Sequence, residues 1–171
     1  SNTACGYEAL VNNTGDGNSG FGNDALRNNT SGEKNTGLGN EALENNTTAS
    51  FNTAVGHHSL TTNTTGTENT AVGSEALELC TNGSNHTAMG KGALQNVTTS
   101  SSNSAFGRQA GNDINTGTNN LCLGAEAGRS NSPSGTITTG SNNVVLGNNS
   151  IANLYCADTS ISSSDARDKT D

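Results

Sequence analysis

Asn52-Thr53-Ala54-Val55-Gly56-His57-His58-Ser59-Leu60 is answered seventeen residues later by Asn69-Thr70-Ala71-Val72-Gly73-Ser74-Glu75-Ala76-Leu77. The same element, Asn-Thr-small-apolar-Gly-x-x-Ala-Leu, starts at Asn2, Asn18, Asn35, Asn52, Asn69, His86, Asn103, Asn120 and Asn143, with spacings of 16, then 17 six times, then 23. Its glycine, four residues after the start, occurs in every copy from Gly6 to Gly147. The residue before it is always apolar: Cys5, Phe21, Leu38, Val55, Val72, Met89, Phe106, Leu123 and Leu146. The eighth position is Ala, or Ser at Ser59 and Ser150. The ninth is Leu in the first six copies, then Gly111, Gly128 and Ile151. A fixed period of this kind is the signature of a stacked-repeat architecture.

Seventeen residues are too few for a pair of helices, and chains rich in Asn, Thr and Gly disfavour helix. The period therefore predicts an all-β fold, a β-solenoid of about nine rungs in which each rung is a short strand, a glycine corner, a second short strand and a polar turn. Rungs stacked at the interstrand spacing would make a rod of roughly 40 Å. The recurring glycine is expected where a corner needs positive φ or close backbone approach. The linkers Asn12-Asn13-Thr14-Gly15, Asn28-Asn29-Thr30, Asn45-Asn46-Thr47 and Asn63-Thr64-Thr65-Gly66 carry turn chemistry, and Asn stacked in register can form amide ladders. The solenoid domain is placed at 1–151 and a connector at 152–171.

Composition points the same way. Of 171 residues, 28 are Asn, 24 Thr and 22 Gly, and only 29% are hydrophobic. Globular chains are about 45–50% apolar, so this chain cannot fill a broad Leu-rich core, and its order must come from backbone ladders. A net charge of −8 with seven Lys and Arg argues against nucleic acid and anionic membrane surfaces. No apolar run approaches the roughly 20 residues of a membrane helix. The chain begins at Ser1 and reads as a piece of a longer protein.

Alternation along a strand puts the small third residue (Ala4, Gly20, Gly37, Ala54, Ala71, Ala88, Ala105) and the apolar fourth on opposite faces. A narrow coil with only Ala inside leaves Phe21, Leu38, Val55, Val72, Met89, Phe106, Leu123 and Leu146 outside, as a stripe that needs cover. The simplest cover is a parallel homotrimer around an axis. The opposite assignment, with the large row inside, stays open at this point.

These rungs resemble the head repeats of trimeric autotransporter adhesins, and more closely the Asn-Thr-Ala-apolar-Gly arrays that precede the chaperone in phage tail fibres and tailspikes. Ser164-Asp165-Ala166-Arg167-Asp168-Lys169 resembles the opening of the intramolecular chaperone domain of endosialidase-type tailspikes. That resemblance implies trimer assembly followed by self-cleavage beside Ser164, with Lys169 as the base. A Lys can take that role only when burial depresses its pKa. The chain stops at Asp171, short of the rest of such a domain, so no cleavage is expected of it. The implied function is a structural or receptor-binding segment of a virion tail fibre or an extracellular surface fibre. Its partners would be itself and a host-surface glycan or protein. The same rungs also fit a bacterial or other viral adhesin, or an ice-binding or filament protein.

No nucleophile elbow, phosphate loop or zinc spacing occurs, and no cofactor is expected. Four cysteines, Cys5, Cys80, Cys122 and Cys156, form no CxxC. Cys5 and Cys122 lie seven rungs apart, roughly 33 Å, too far to bridge. Both are read as buried small hydrophobes, with Cys156 left able to meet Cys122 or a symmetry mate. His57 and His58, as adjacent strand residues, should point apart. His86 replaces a rung-starting Asn, and on a three-fold axis three copies could share an ion. Glu8, Asp24, Glu41, Glu75 and Glu126 form an acidic row, read as a solvated face or a weak cation site. Thr3, Ser19, Thr36, Thr53, Thr70, Thr87 and Ser104 form a hydroxyl row. Sequons occur at Asn12, Asn28, Asn29, Asn45, Asn46, Asn63, Asn82, Asn85, Asn96 and Asn148. Six extra residues around Ser130-Asn131-Ser132-Pro133-Ser134-Gly135 make a bulge that could touch a receptor.

Overall fold

The computed structural model describes residues 1–153. Among the described residues are nine strands of three residues and no helix: β1 Thr3–Cys5, β2 Ser19–Phe21, β3 Thr36–Leu38, β4 Thr53–Val55, β5 Thr70–Val72, β6 Thr87–Met89, β7 Ser104–Phe106, β8 Leu121–Leu123 and β9 Val144–Leu146. They form one parallel sheet in chain order. Each strand pairs with its sequence neighbours in strict register, Thr53 on Thr70 and Val55 on Val72 for example. The chain is the expected β-solenoid, one rung per repeat.

The expected second strand is absent; a chain of turns takes its place. Two residues after the glycine the backbone is left-handed, at Glu8 (φ 51°), Asp24 (56°), Glu41 (57°), His58 (55°) and Glu75 (61°). It is left-handed again at Leu10, Leu26, Leu43, Leu60, Leu77 and Leu94, with φ between 50° and 57°. Alternating left- and right-handed residues curl the chain where a strand would extend it. A left-handed non-Gly residue costs about 1–2 kcal/mol. Burying a Leu returns about 1.5–3 kcal/mol, and five of the six, Leu26 to Leu94, are fully buried. The rung-to-rung ladder continues through these turns, with Leu26 N donating to the Ala42 carbonyl, Leu43 to Ser59 and Leu60 to Ala76, each at 3.0 Å.

The recurring glycine serves both purposes expected of it. Its φ is 132–140° in the first seven rungs. A Cβ on Gly6 would lie 2.2 Å from the Gly22 carbonyl oxygen, and one on Gly39 would lie 2.5 Å from that of Gly56.

The interior holds more than the Ala row. Ala54, Ala71, Ala88 and Ala105 are fully buried, and so is the Leu row opposite them. The two rows touch: a Cβ on Gly20 would sit 3.2 Å from Leu10 Cγ. Two rows of amides complete the lining. Asn35 N donates to Asn18 Oδ1 (2.9 Å), Asn52 N to Asn35 Oδ1 (2.9 Å) and Asn69 N to Asn52 Oδ1 (3.0 Å). A second spine runs through the linkers: Asn29 Nδ2 donates to Asn13 Oδ1 (2.5 Å), Asn46 to Asn29 (2.6 Å) and Asn63 to Asn46 (2.9 Å). Both spines converge on the same carbonyls. Gly66 O accepts from Asn52 Nδ2 at 2.8 Å and from Asn63 Nδ2 at 3.0 Å. Buried amides are tolerated because all but one of these groups, Asn63 Oδ1, find partners.

Candidate functional site

The outer face of the sheet is the largest regular feature on the surface. In each strand the middle residue points in and its neighbours point out, giving an intermediate–buried–exposed pattern in β2, β3, β6 and β7. In-register pairing lines up two outer rows. One is Thr36, Thr53, Thr70 and Thr87, half-buried, with Ser19 and Ser104 beyond them. The other is Phe21, Leu38, Val55, Val72, Met89, Phe106, Leu123 and Leu146. Leu38 is 48% exposed, Met89 41% and Phe106 38%. With Ala and Leu filling the coil, the large apolar row has no place inside. The opposite assignment is thereby excluded.

The short Thr-small-apolar strand fixes this geometry, because only the central side chain must fit the narrow interior. Replacing the Ala row by anything larger requires a change across the coil. Rung eight makes that change: its strand carries Cys122, while its Leu position is Gly128. A Cβ on Gly128 would lie 2.9 Å from Cys122 Sγ.

Cys5 departs from expectation. It belongs to the outer row of the first rung and is exposed, because it is the fourth residue of the element and not the third. Cys80 and Cys122 are buried free thiols, and burial pushes both up to about 11. Cys156, Ser164 and Lys169 lie outside the described residues.

The histidines correct two expectations. His57 and His58 stack, with ring centroids 3.7 Å apart. They stand in a turn with His58 left-handed, so strand alternation does not apply to them. His58 Nε2 lies 2.7 Å from Glu41 Oε2. His86 is 1% exposed and faces the coil interior, where it cannot meet copies of itself on a symmetry axis. No group of three ligating side chains is assembled among the described residues.

The acidic row is laced with cations: Arg27 Nε reaches Glu8 (2.5 Å) and Asp24 (3.6 Å), Lys91 reaches Glu75 (3.9 Å), and Arg108 reaches Glu126. The Asn131 amide, followed by Arg108, holds the Glu126 carboxyl below the usual range. Surface pairs of this kind stabilise little. Among the sequons, Asn29, Asn46 and Asn63 are fully buried spine residues, so no glycan can reach them. The bulge after rung eight is anchored at its base, with Arg129 Nη1 donating to Gln109 Oε1 (2.8 Å) and Ser132 N to the Arg129 carbonyl (2.9 Å). Its Ser130, Asn131, Pro133 and Ser134 are exposed.

Sequence reasoning missed the inward Leu row and the interior place of the rung-starting Asn. The interchange of Leu for Gly at positions 111 and 128 was the available signal, since Gly commonly stands in for a left-handed residue. No family model, curated protein or solved structure matches the chain.

Proposed function

We propose that this chain is a rigid structural or receptor-binding segment of a trimeric fibre that mediates attachment to a host cell, as in a phage tail fibre or tailspike. The observation that carries the reading is the outer row from Phe21 to Leu146, apolar in every rung and in register along the whole sheet. A coil already filled by Ala, Leu and Asn has no internal use for that row. An in-register apolar stripe, exposed at Phe21, Leu38, Met89, Phe106 and Leu146 and half-exposed at Val55, Val72 and Leu123, is an association surface. The occupant proposed is two further copies of the same chain. The Asn-Thr-Ala-apolar-Gly element and the Ser164–Lys169 sequence support this reading through the fibres they resemble. The mechanism is avidity: three weak contact surfaces held rigidly bind far more tightly than one. The exposed bulge at 130–134 is the part proposed to touch the receptor.

The test is solution mass by light scattering, on the wild type and on a double variant, Val72→Glu with Met89→Glu. The reading predicts about three times 17.2 kDa for the wild type and a folded monomer for the variant. A monomeric wild type would overturn it. That result would favour the second reading, a single flat sheet whose Thr36, Thr53, Thr70 and Thr87 row meets an ordered surface such as ice. Thermal hysteresis would test that.

A further inference from the structure

Eight of the nine rungs begin with Asn and one, rung six, with His86. The imidazole copies the amide atom for atom. His86 N donates to Asn69 Oδ1 (3.0 Å), as an Asn there would. Nδ1 stands in for the amide oxygen and accepts from Asn103 N at 3.1 Å. Nε2 stands in for the amide nitrogen and lies 2.8 Å from the Ser100 carbonyl. A backbone N–H can only donate and a carbonyl can only accept. The ring is therefore held neutral, with its proton on Nε2.

We propose that His86 is an acid-sensitive joint in the rod: a second proton on its ring breaks the inner spine between rungs six and seven and loosens the stack there. The proton has one place to go, Nδ1, which points at the Asn103 N–H. Protonation sets two donors against each other and leaves a cation inside a coil where the ring is 1% exposed. An Asn in the same place has no such failure, because its amide does not titrate.

Nothing around the ring compensates a positive charge. The facing groups are the Asn69 amide from rung five, the Ser100 carbonyl and Asn103 N–H from rung seven, and Cys80 across the turn at Gly83. A Cβ on that glycine would lie 2.7 Å from His86 Nε2 and 3.0 Å from Cys80 Sγ. The Cys80 thiol is itself held neutral by burial. Glu68 at the end of rung four and the charged side chains of rungs five to seven, Glu75, Glu78, Lys91, Arg108 and Asp113, are all partly or fully exposed on the outer surface. Burial, ahead of the two backbone hydrogen bonds, sets the direction of the shift, which is downward.

The sign follows. The opened state binds a proton that the closed state excludes, so closure is at full strength above about pH 6.5 and weakens as pH falls below it, by up to tenfold in the opening constant per pH unit. The joint would divide the rod into rungs one to six and seven to nine in acidic surroundings.

The test is amide hydrogen exchange of the full chain between pH 7 and pH 5, corrected for intrinsic rates, in wild type, His86→Asn and Asn69→His. The expected result is an opening constant at the Asn103 N–H that rises several-fold from pH 6.5 to pH 5 in wild type and stays flat in H86N. That variant also subtracts His57 and His58, which lie on the outside of rung four. In N69H the rise should spread to the His86 N–H, one rung earlier. A flat wild-type profile, or the same slope retained in H86N, would overturn the proposal. So would an NMR titration in which His86 protonates near pH 6.5 with Asn103 still protected.

Discussion

Rungs one to four and rungs five to eight follow the same backbone track with different interiors. In the first half the row eleven residues after each rung start is Asn13, Asn29, Asn46 and Asn63; in the second it is Cys80, Val97 and Ile114, followed by Ile137, which the six-residue insertion places seventeen residues after Asn120. The first half holds this row by amide-to-amide hydrogen bonds, the second by apolar contact. The Leu row persists through Leu77 and Leu94 and gives way two rungs later, to Gly111 and Gly128, where Ile114 and Ile137 supply the volume. A Cβ on Gly111 would lie 2.7 Å from Leu94 Cδ2 and 3.2 Å from Ile114 Cδ1. The coil is thus specified by its corners and its ladder, and it accepts either core chemistry. The boundary leaves one defect: Asn63 Oδ1 is buried without a partner, because Cys80 offers no amide to it.

The corners should matter equally in both halves. Gly39→Ala and Gly90→Ala each drive a Cβ to within about 2.5 Å of the next rung's carbonyl, at 2.5 Å and 2.4 Å respectively. Each should cost on the order of 3 kcal/mol or more in urea unfolding. A large effect in only one half would mean that the two halves do not share a backbone.

Each interior should lose stability when its own chemistry is removed, for a different reason. Asn46→Leu strips Asn29 Oδ1 of its donor and Asn63 Nδ2 of its inter-rung acceptor, for a loss of about 2–4 kcal/mol. Ile114→Ala should lose about 2–5 kcal/mol by leaving a cavity. Cys80→Asn extends the polar spine by one rung and gives Asn63 Oδ1 its donor. Because the new side-chain oxygen then faces Val97 and becomes the orphan in its turn, stability should change by less than about 1 kcal/mol, and a large loss would show that the boundary belongs where it is. The smallest effect should come from the surface. Arg27 pairs with Glu8, Asp24 and Glu44 on the exposed corner, and Arg27→Ala should leave Tm unchanged within error at 0.15 M salt.

The repeat, the solenoid, the close-packed glycine corner and the outward apolar row were legible in the sequence. Period identifies which residues stack, and alternation tells in from out wherever the chain is extended. Alternation stops at the strand ends. Leu26 and Asp24, two residues apart, both take left-handed backbone, so neither the inward Leu row nor the His57–His58 stack follows from strand rules. The interior place of Asn35 was equally hidden. Composition presents Asn as a turn residue, and only an in-register stack supplies both its donor and its acceptor. The outer row could be located, but what covers it could not, since a stripe of Phe, Leu and Val looks the same against any apolar partner.

The inner amide spine, formed by the Asn side chains that begin the rungs, holds successive rungs together. The most direct measurement is the exchange rate of the Asn52 and Asn69 backbone N–H groups at neutral pH, each bonded to the side-chain oxygen one rung earlier at 2.9 and 3.0 Å. Protection equal to that of the buried Leu60 N–H is predicted. Exchange at the rate of an unstructured peptide would contradict the account.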